Sequence, residues 1–386
     1  MALHFSSEEF ARRRAALDAL LAERKLDCLL IFSQESMYWL SGYDSFGFCF
    51  FQCLIYRPGE EPILLTRSPD LRQARHTSNI NDIRVWIDVA GKSPVSQVKD
   101  MLFELELLGT RIGVEFDSHG LTAARGRELD DSLRSFADIE DASYLISSLR
   151  LTKSEEELVY VRKAAELADQ AFTDALAATK PGANEADILA AMHHAIFEGG
   201  GDYAANEFVL GSGRDALLCR PKSGRRTLAD HDQMTVELAG AYRRYHAALM
   251  RTVVIGEPTP RHLELHQAAC AALSAIEDKM RPGFTFGDLF DAHATELDSR
   301  GLTAHRISVC AYSLGARFAP SWMDAPYLAY KGNPQPIEAN MVLFAPIMLM
   351  DSDSETAMTL GRSYIVADNG PEPLSQLSLD LPQKLL

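Results

Sequence analysis

The 386-residue chain has no run of 18 apolar residues, so its sequence offers no membrane-spanning helix. It also lacks positive charge: 38 Lys and Arg stand against 54 Asp and Glu, a net −16. A nucleic-acid or anionic-membrane partner needs a basic surface and is therefore not expected. The first fourteen residues are charged early and contain no apolar signal core, so export is not expected either. Cysteine is sparse. Cys28, Cys49, Cys53, Cys219, Cys270 and Cys310 show no paired zinc-type spacing and mostly sit in apolar surroundings, as reduced thiols of a cytoplasmic protein do. What remains is 47% hydrophobic and 24% charged, the balance of a soluble globular chain long enough for two domains.

The first part alternates strand-like and helical segments. Ser7 to about Glu23 carries apolar residues at helical spacing, and Cys28-Leu29-Leu30-Ile31-Phe32 is a short buried-strand run. Ile63–Leu65, Ile83–Ile87 and Ile112–Glu115 repeat that pattern, with a helical Val95–Leu108 before the last. This is an α/β domain. Ser154 followed by Glu157 forms a capping box and starts a new helix, which places the boundary at Lys153-Ser154. The domains expected are 1–152 and 153–386. Within the second, Lys180-Pro181-Gly182 to Asp187 recurs as Arg281-Pro282-Gly283 to Asp288, each between two helical segments. Duplicated halves with a site at their pseudo-twofold interface account for that repeat.

The stretch Val236–Gly256 contains Glu237-Leu238-Ala239-Gly240, Tyr242-Arg243-Arg244-Tyr245-His246 and Met250-Arg251-Thr252. Together with Ser36-Met37-Tyr38-Trp39-Leu40-Ser41-Gly42-Tyr43, Leu151-Thr152-Lys153-Ser154 and Arg362-Ser363-Tyr364-Ile365-Val366, it resembles the creatinase/prolidase (peptidase M24, pita-bread) family over nearly the whole chain. The resemblance implies a creatinase-like α/β domain followed by a pita-bread α+β domain with duplicated halves. It implies a homodimer too, with the N-terminal domain reaching the partner's site.

The family's metallopeptidases hold two metals with two aspartates, a histidine and two glutamates. The resemblance puts Glu237 and Ala248 at the aspartates, Tyr312 at the histidine, Ala345 or Pro346 at the first glutamate and Arg362 at the last. One oxygen ligand of five remains, so no dinuclear metal and no cofactor is expected. The hairpin is most similar to the metal-free branch of creatinase and ectoine hydrolases. Their basic histidine, seventeen residues before Glu237, is here Arg220, which cannot serve as a base at neutral pH.

Several side chains then compete for roles. Glu237, on an otherwise apolar strand, is either an acid/base of raised pKa or a buried partner of Arg220, Arg251 or Arg362. His246 is a relocated base or an ordinary strand histidine. Tyr312 is a hydrogen-bond donor to developing charge or a filler of the space a metal leaves. Arg220, Arg251, Arg317 and Arg362 can grip a substrate carboxylate in bidentate fashion. Trp322 and Phe48 line the cavity, the latter from a Phe46, Phe48, Phe50 alternation read as one strand face. Cys219 beside Arg220 is either a thiol that the arginine draws towards thiolate or, more commonly for a lone cysteine, inert, and Asp351-Ser352-Asp353-Ser354-Glu355 is a solvated turn. The function expected is metal-independent hydrolysis of an amide, amidine or cyclic amidine C–N bond in a small carboxylate-bearing substrate. An Xaa-Pro aminopeptidase or dipeptidase and an inactive binding protein are the alternatives.

Overall fold

The computed structural model describes residues 3–384. The chain divides into two compact units, Met1–Arg150 and Leu151–Leu386.

The first unit begins with α1 (Ser7–Arg24), capped by Ser6 and ended by Lys25 in the left-handed region. Strands β1 (Cys28–Ile31), β2 (Cys53–Tyr56), β3 (Ile63–Arg67), β4 (Asp82–Trp86), β5 (Arg111–Val114) and β6 (Asp138–Asp141) form a mixed sheet in the order β4-β3-β2-β1-β5-β6. Helices α2 (Gln34–Ser41), α3 (Leu71–Thr77), α4 (Pro94–Glu104), α5 (Ala123–Leu133) and α6 (Leu145–Leu151) connect and follow the strands. The central strands are buried on both faces, which explains their continuous apolar runs. The aromatic alternation at Phe46–Phe50 is not a strand. A 3₁₀ turn, Gly47–Cys49, forms there because Cys49 N–H and Phe50 N–H bond back to Phe46 and Gly47 carbonyls, leaving none for a ladder. Phe48 sits partly buried in that turn.

In the second unit, α7 (Glu155–Ala178) starts at the expected capping box: Glu157 N–H donates to Ser154 Oγ at 3.3 Å, and Ser154 N–H to Glu157 Oε2 at 2.8 Å. Next come α8 (Glu185–Glu198), β7 (Val209–Ser212), β8 (Asp232–Tyr242), β9 (Tyr245–Ile255), α9 (Pro260–Glu277) and α10 (Phe286–Ser299). The chain closes with β10 (Ala311–Leu314), β11 (Met323–Ala329), β12 (Val342–Asp351), β13 (Thr356–Ala367), β14 (Gly370–Pro373) and β15 (Gln383–Lys384). One sheet runs β11-β10-β12-β13-β9-β8-β7.

The two halves are built alike. Helix α7 packs on β8 and β9 as α9 packs on β12 and β13. Gly182 and Gly283 each take a positive φ in the Pro-Gly turn, and two residues on Asn184 and Thr285 each cap the next helix and bridge to Thr227 and Pro336. The repeated Pro-Gly segment is thus the same turn used twice.

Alternation sorts the sheet into two faces. Val236, Leu238 and Gly240 of β8 face α7, and at Gly240 a Cβ would lie 1.9 Å from the Ala164 carbonyl oxygen, so only glycine fits. Glu237, Ala239 and Ala241 face away from the helices. The β8–β9 turn puts Arg243 and Arg244 at φ 48° and 68°, and their guanidinium groups stack on Tyr160 and Phe318 respectively. The acidic turn after β12 is exposed from Ser352 to Glu355, as expected of a solvated turn, while Asp351 at its head is buried on Arg261 at 2.8 Å. Burial pushes its carboxyl up, but Ser354 and Arg261 hold it down to about 2.

Candidate active site

Glu237 projects from the middle of β8 onto the helix-free face. It keeps some exposed surface yet sits deep among protein atoms, and that desolvation raises its carboxyl to about 7 against the lowering effect of a Tyr312 hydrogen bond and the Arg220 charge. The Tyr312 hydroxyl, on β10, donates to Glu237 Oε1 at 3.3 Å, and the Trp322 indole N–H donates to the Tyr312 oxygen at 2.9 Å. Trp322 is itself fixed by its backbone N–H donating to Asn206 Oδ1 at 3.0 Å. Tyr312 is 6% exposed and packs edge-to-face on Phe344 of β12, ring centroids 5.3 Å apart. Burial and the neighbouring carboxylate push its phenol well above the usual range, so it stays a donor. These groups form one chain, Asn206 to Trp322 to Tyr312 to Glu237.

Arg220 lies just outside that chain. It is exposed, close enough to lower the Glu237 carboxyl, and makes no ion pair or hydrogen bond among the described residues. Cys219 beside it is exposed as well.

The remaining expected side chains of the second unit do not converge here. His246 is fully buried, with Ala205 N–H donating to its Nε2 at 3.0 Å and its Nδ1 facing the Gly315 carbonyl at 3.4 Å. Burial brings its pKa down to about 4, although the Gly315 carbonyl opposes this, and it lies opposite Ala241, four residues along the strand from Glu237. At ~3.4 Å per residue that is roughly 14 Å, too far to share a proton directly. Arg251 pairs with Val236 and Arg362 with Ala345, so both point to the helix side of the sheet. Arg317 is 10% exposed and engaged by Asp324, Nη1 to Oδ1 3.5 Å. Phe48 belongs to the first unit.

Sheet register also settles where a metal's ligands would stand. Ala239 pairs with Ala248, Glu237 with Met250, Tyr312 with Phe344, and Pro346 with Gly361. Glu237, Ala248, Tyr312, Pro346 and Gly361 therefore share the helix-free face. Ala345 turns into the core beneath α9, which decides between it and Pro346. Arg362 turns away too, so the last carboxylate's place on this face falls to Gly361, a correction to the sequence assignment. A Cβ there would meet Phe344 Cζ at 2.6 Å and Met250 Cβ at 2.9 Å, leaving a carboxylate no room. Among the described residues no group of three or more His, Cys, Asp or Glu converges on a point. One carboxylate and one high-pKa phenol do not fit a dinuclear metal.

Asn206 and Gly361 were missed from sequence. Asn206 lies in an irregular loop with no motif, whereas Gly361 adjoins Arg362 and only strand parity distinguishes the two.

Residues 159–366 match the profile of "Metallopeptidase family M24", and residues 13–152 that of "Creatinase/Prolidase N-terminal domain". An uncharacterized hydrolase/peptidase of Sinorhizobium fredii is 27% identical over 99% of this chain and 99% of its own length. The ectoine hydrolase of Halomonas elongata is 26% identical over 100% of this chain and 98% of its own. The crystal structure of dipeptidase PepE from Mycobacterium ulcerans superposes with a TM-score of 0.85 at 22% identity, covering 99% of this chain and 100% of that one.

Proposed function

We propose a function from one premise, that the chain belongs to metallopeptidase family M24 and carries its creatinase/prolidase N-terminal domain: it is a hydrolase that cleaves a C–N bond without a metal. The substrate class is a small amide, amidine or cyclic amidine bearing a carboxylate, as for the ectoine hydrolase relative. The observation that carries this is the hydrogen-bonded chain ending on Glu237, on the face where the metal donors no longer fit.

The chemistry needs one group that can take a proton and give it back. Near neutrality a carboxyl held at about 7 is divided between both forms, the condition favouring a general acid/base. Ionised Glu237 takes a proton from water as its oxygen bonds to the substrate carbon. The same carboxyl then returns the proton to the departing nitrogen as the C–N bond breaks. Tyr312, polarised by the Trp322 N–H, stabilises negative charge as it develops. Arg220 receives the substrate carboxylate. His246 takes no part in proton transfer, because Ala205 N–H already uses its Nε2 lone pair.

An Xaa-Pro dipeptidase activity is disfavoured by the donor set. An inactive binding protein is disfavoured by the absence of an ion pair between Glu237 and Arg220 among the described residues. The homodimer expected from the family, with the segment bearing Phe48 reaching the partner's site, belongs to this proposal, and light scattering tests it. Among the described residues no helix is long and apolar enough to cross a membrane.

The test is a turnover screen of cyclic amidines, N-acyl amino acids and Xaa-Pro dipeptides, each with EDTA and with added manganese. Hydrolysis in the first two classes that ignores EDTA, and falls ~10²–10⁴-fold in Glu237→Gln, is expected. Cleavage confined to Xaa-Pro dipeptides and dependent on manganese overturns the proposal.

A further inference from the structure

The helix side of the second sheet holds an unusual pair of charges. Leu360 of β13 pairs with Arg251 of β9, so Arg362, two residues on and on the same face, is its diagonal neighbour at roughly 7–8 Å between Cα atoms. Arg251 is 1% exposed and Arg362 half-buried. Burial and the charge of Arg362 together bring the Arg251 guanidinium down to about 10.

The C-terminal segment covers them with backbone alone. Arg362 Nη2 donates to Leu377 O at 3.0 Å, Arg251 Nη2 to Ser378 O at 3.5 Å, and His266 Nε2 meets Leu379 O at 2.9 Å. Arg251 Nη1 donates to the Met250 and Gly361 carbonyls at 2.8 and 2.6 Å. Carbonyls satisfy donors but do not neutralise charge. Among the described residues, none of the nearby acidic side chains forms an ion pair with either guanidinium: Asp169 acts on Arg251 through its charge alone and accepts from Ser375 Oγ and Gln376 N–H, Glu277 accepts from Tyr364 Oη, and Asp380 from Ser378 Oγ. Neither arginine makes an ion pair among the described residues. The Nε of each is buried and has no hydrogen-bond partner.

Two like charges with unmet donors, one almost wholly buried, are costly to hold away from water unless a counter-charge is present, and a buried donor calls for a hydrogen-bond acceptor. We propose that Arg251 and Arg362 bind a small monovalent anion, halide- or formate-sized, through their Nε–H groups beneath the C-terminal segment. The site lies on the opposite face of the sheet from Glu237 and stands independently of the function proposed above. It still bears on that face, because Arg251 holds the carbonyls of Met250 and Gly361, which line the other side.

Crystals of the full chain soaked in sodium bromide at tens of millimolar test this directly. An anomalous peak within hydrogen-bond reach of both Nε atoms is expected, and planar density at the same place in crystals soaked in sodium formate identifies a carboxylate-accepting site. An ordered water alone, or bromide seen only at molar concentration as an adventitious ion, overturns the proposal. In solution at constant ionic strength, replacing gluconate with chloride or formate raises the melting temperature by a few degrees in a saturable way. The response is lost in Arg362→Met and in Arg362→Asp, the latter supplying the counter-charge from within. A response that persists in Arg362→Asp also overturns it. Should Arg362→Met fail to fold, the bromide crystals of the unaltered chain decide.

Discussion

Replacing Glu237 with glutamine should remove activity and stabilise the fold at the same time. In the folded chain the carboxyl is raised from 4.5 to about 7, chiefly by burial. The folded state then binds the proton more tightly than the unfolded state, so the stability this group contributes is full below the unfolded value and is lost as pH rises through the folded one. Ionising inside the protein at about 7 rather than at 4.5 costs ~3 kcal/mol of stability. Glutamine keeps an acceptor for Tyr312 and never ionises, so it escapes that cost. Linkage gives an advantage of about 1 kcal/mol at pH 5 and about 3 kcal/mol at pH 8.5. The second figure is an upper bound, because Glu237 retains some solvent contact that screens it. At roughly 2–4 °C per kcal/mol, the variant should melt several degrees higher at pH 8.5, with most of the gain gone at pH 5. Calorimetry across that range is the assay. A variant equally or less stable at pH 8.5, or a gain that grows towards acid, refutes the assignment of a strained, high-pKa carboxylate.

Tyr312→Phe removes a hydrogen bond that favours the ionised carboxylate, so the acid limb of the kcat/KM profile, expected near 7, should move up by about one pH unit; a limb that stays in place refutes the link. Arg220→Gln should raise KM at least tenfold for carboxylate-bearing substrates while changing kcat little, and wild-type kcat/KM should fall with added salt; unchanged KM refutes the anchoring role. His246→Ala should cost about 1–3 kcal/mol of stability by leaving Ala205 N–H unpaired, while the Gly315 carbonyl keeps the backbone N–H of residue 246, and should leave the pH profile where it was; disappearance of a limb would return the base role to His246. Ala248→Asp with Tyr312→His should not create tight manganese binding by elemental analysis, since Phe344 still fills the space at Gly361; stoichiometric metal refutes the fit argument.

The sequence was most informative where its periodicity and capping chemistry agree. The α7 start at Ser154 and the twice-used Pro-Gly turn are local devices, each complete within a few residues, and the structure reproduces both. Two first-unit strands were not visible. Cys53–Tyr56 follows an aromatic loop that imitates alternation, and Asp138–Asp141 is a short polar edge strand with no buried face to write a pattern. At the site, Glu237 was legible because one carboxylate interrupts an apolar strand. The faces of Arg251, Arg362 and Gly361 were not, because a single residue of register inverts every assignment along a strand. His246 shows the complementary failure: its spacing from Glu237 along the hairpin is visible, but the Ala205 N–H that occupies its nitrogen arrives from a distant loop.

Strands β9 and β13 connect the two faces. Their ladder pairs only Leu360 with Arg251 and Gly361 with Met250, and beyond it Ser363 Oγ bridges the gap, accepting from Ala248 N–H at 2.9 Å and donating to Ala248 O at 2.8 Å. The residue that stands at the second aspartate's place thus presents a methyl group to the site and binds the neighbouring strand through its backbone. One residue along, Gly361 leaves its Cβ space to the Phe344 ring, which packs Tyr312 towards Glu237, while its carbonyl is held from behind by Arg251. Side-chain carboxylates binding two metals would tie these strands together through the ions. Here Ser363, Phe344 and Arg251 tie them through protein atoms. A substitution on the helix side, such as Arg251→Met, should therefore alter turnover through the position of Met250 and Gly361, with kcat affected more than KM. If Arg251→Met lowers stability but leaves kcat untouched, the two faces are not coupled through this clamp.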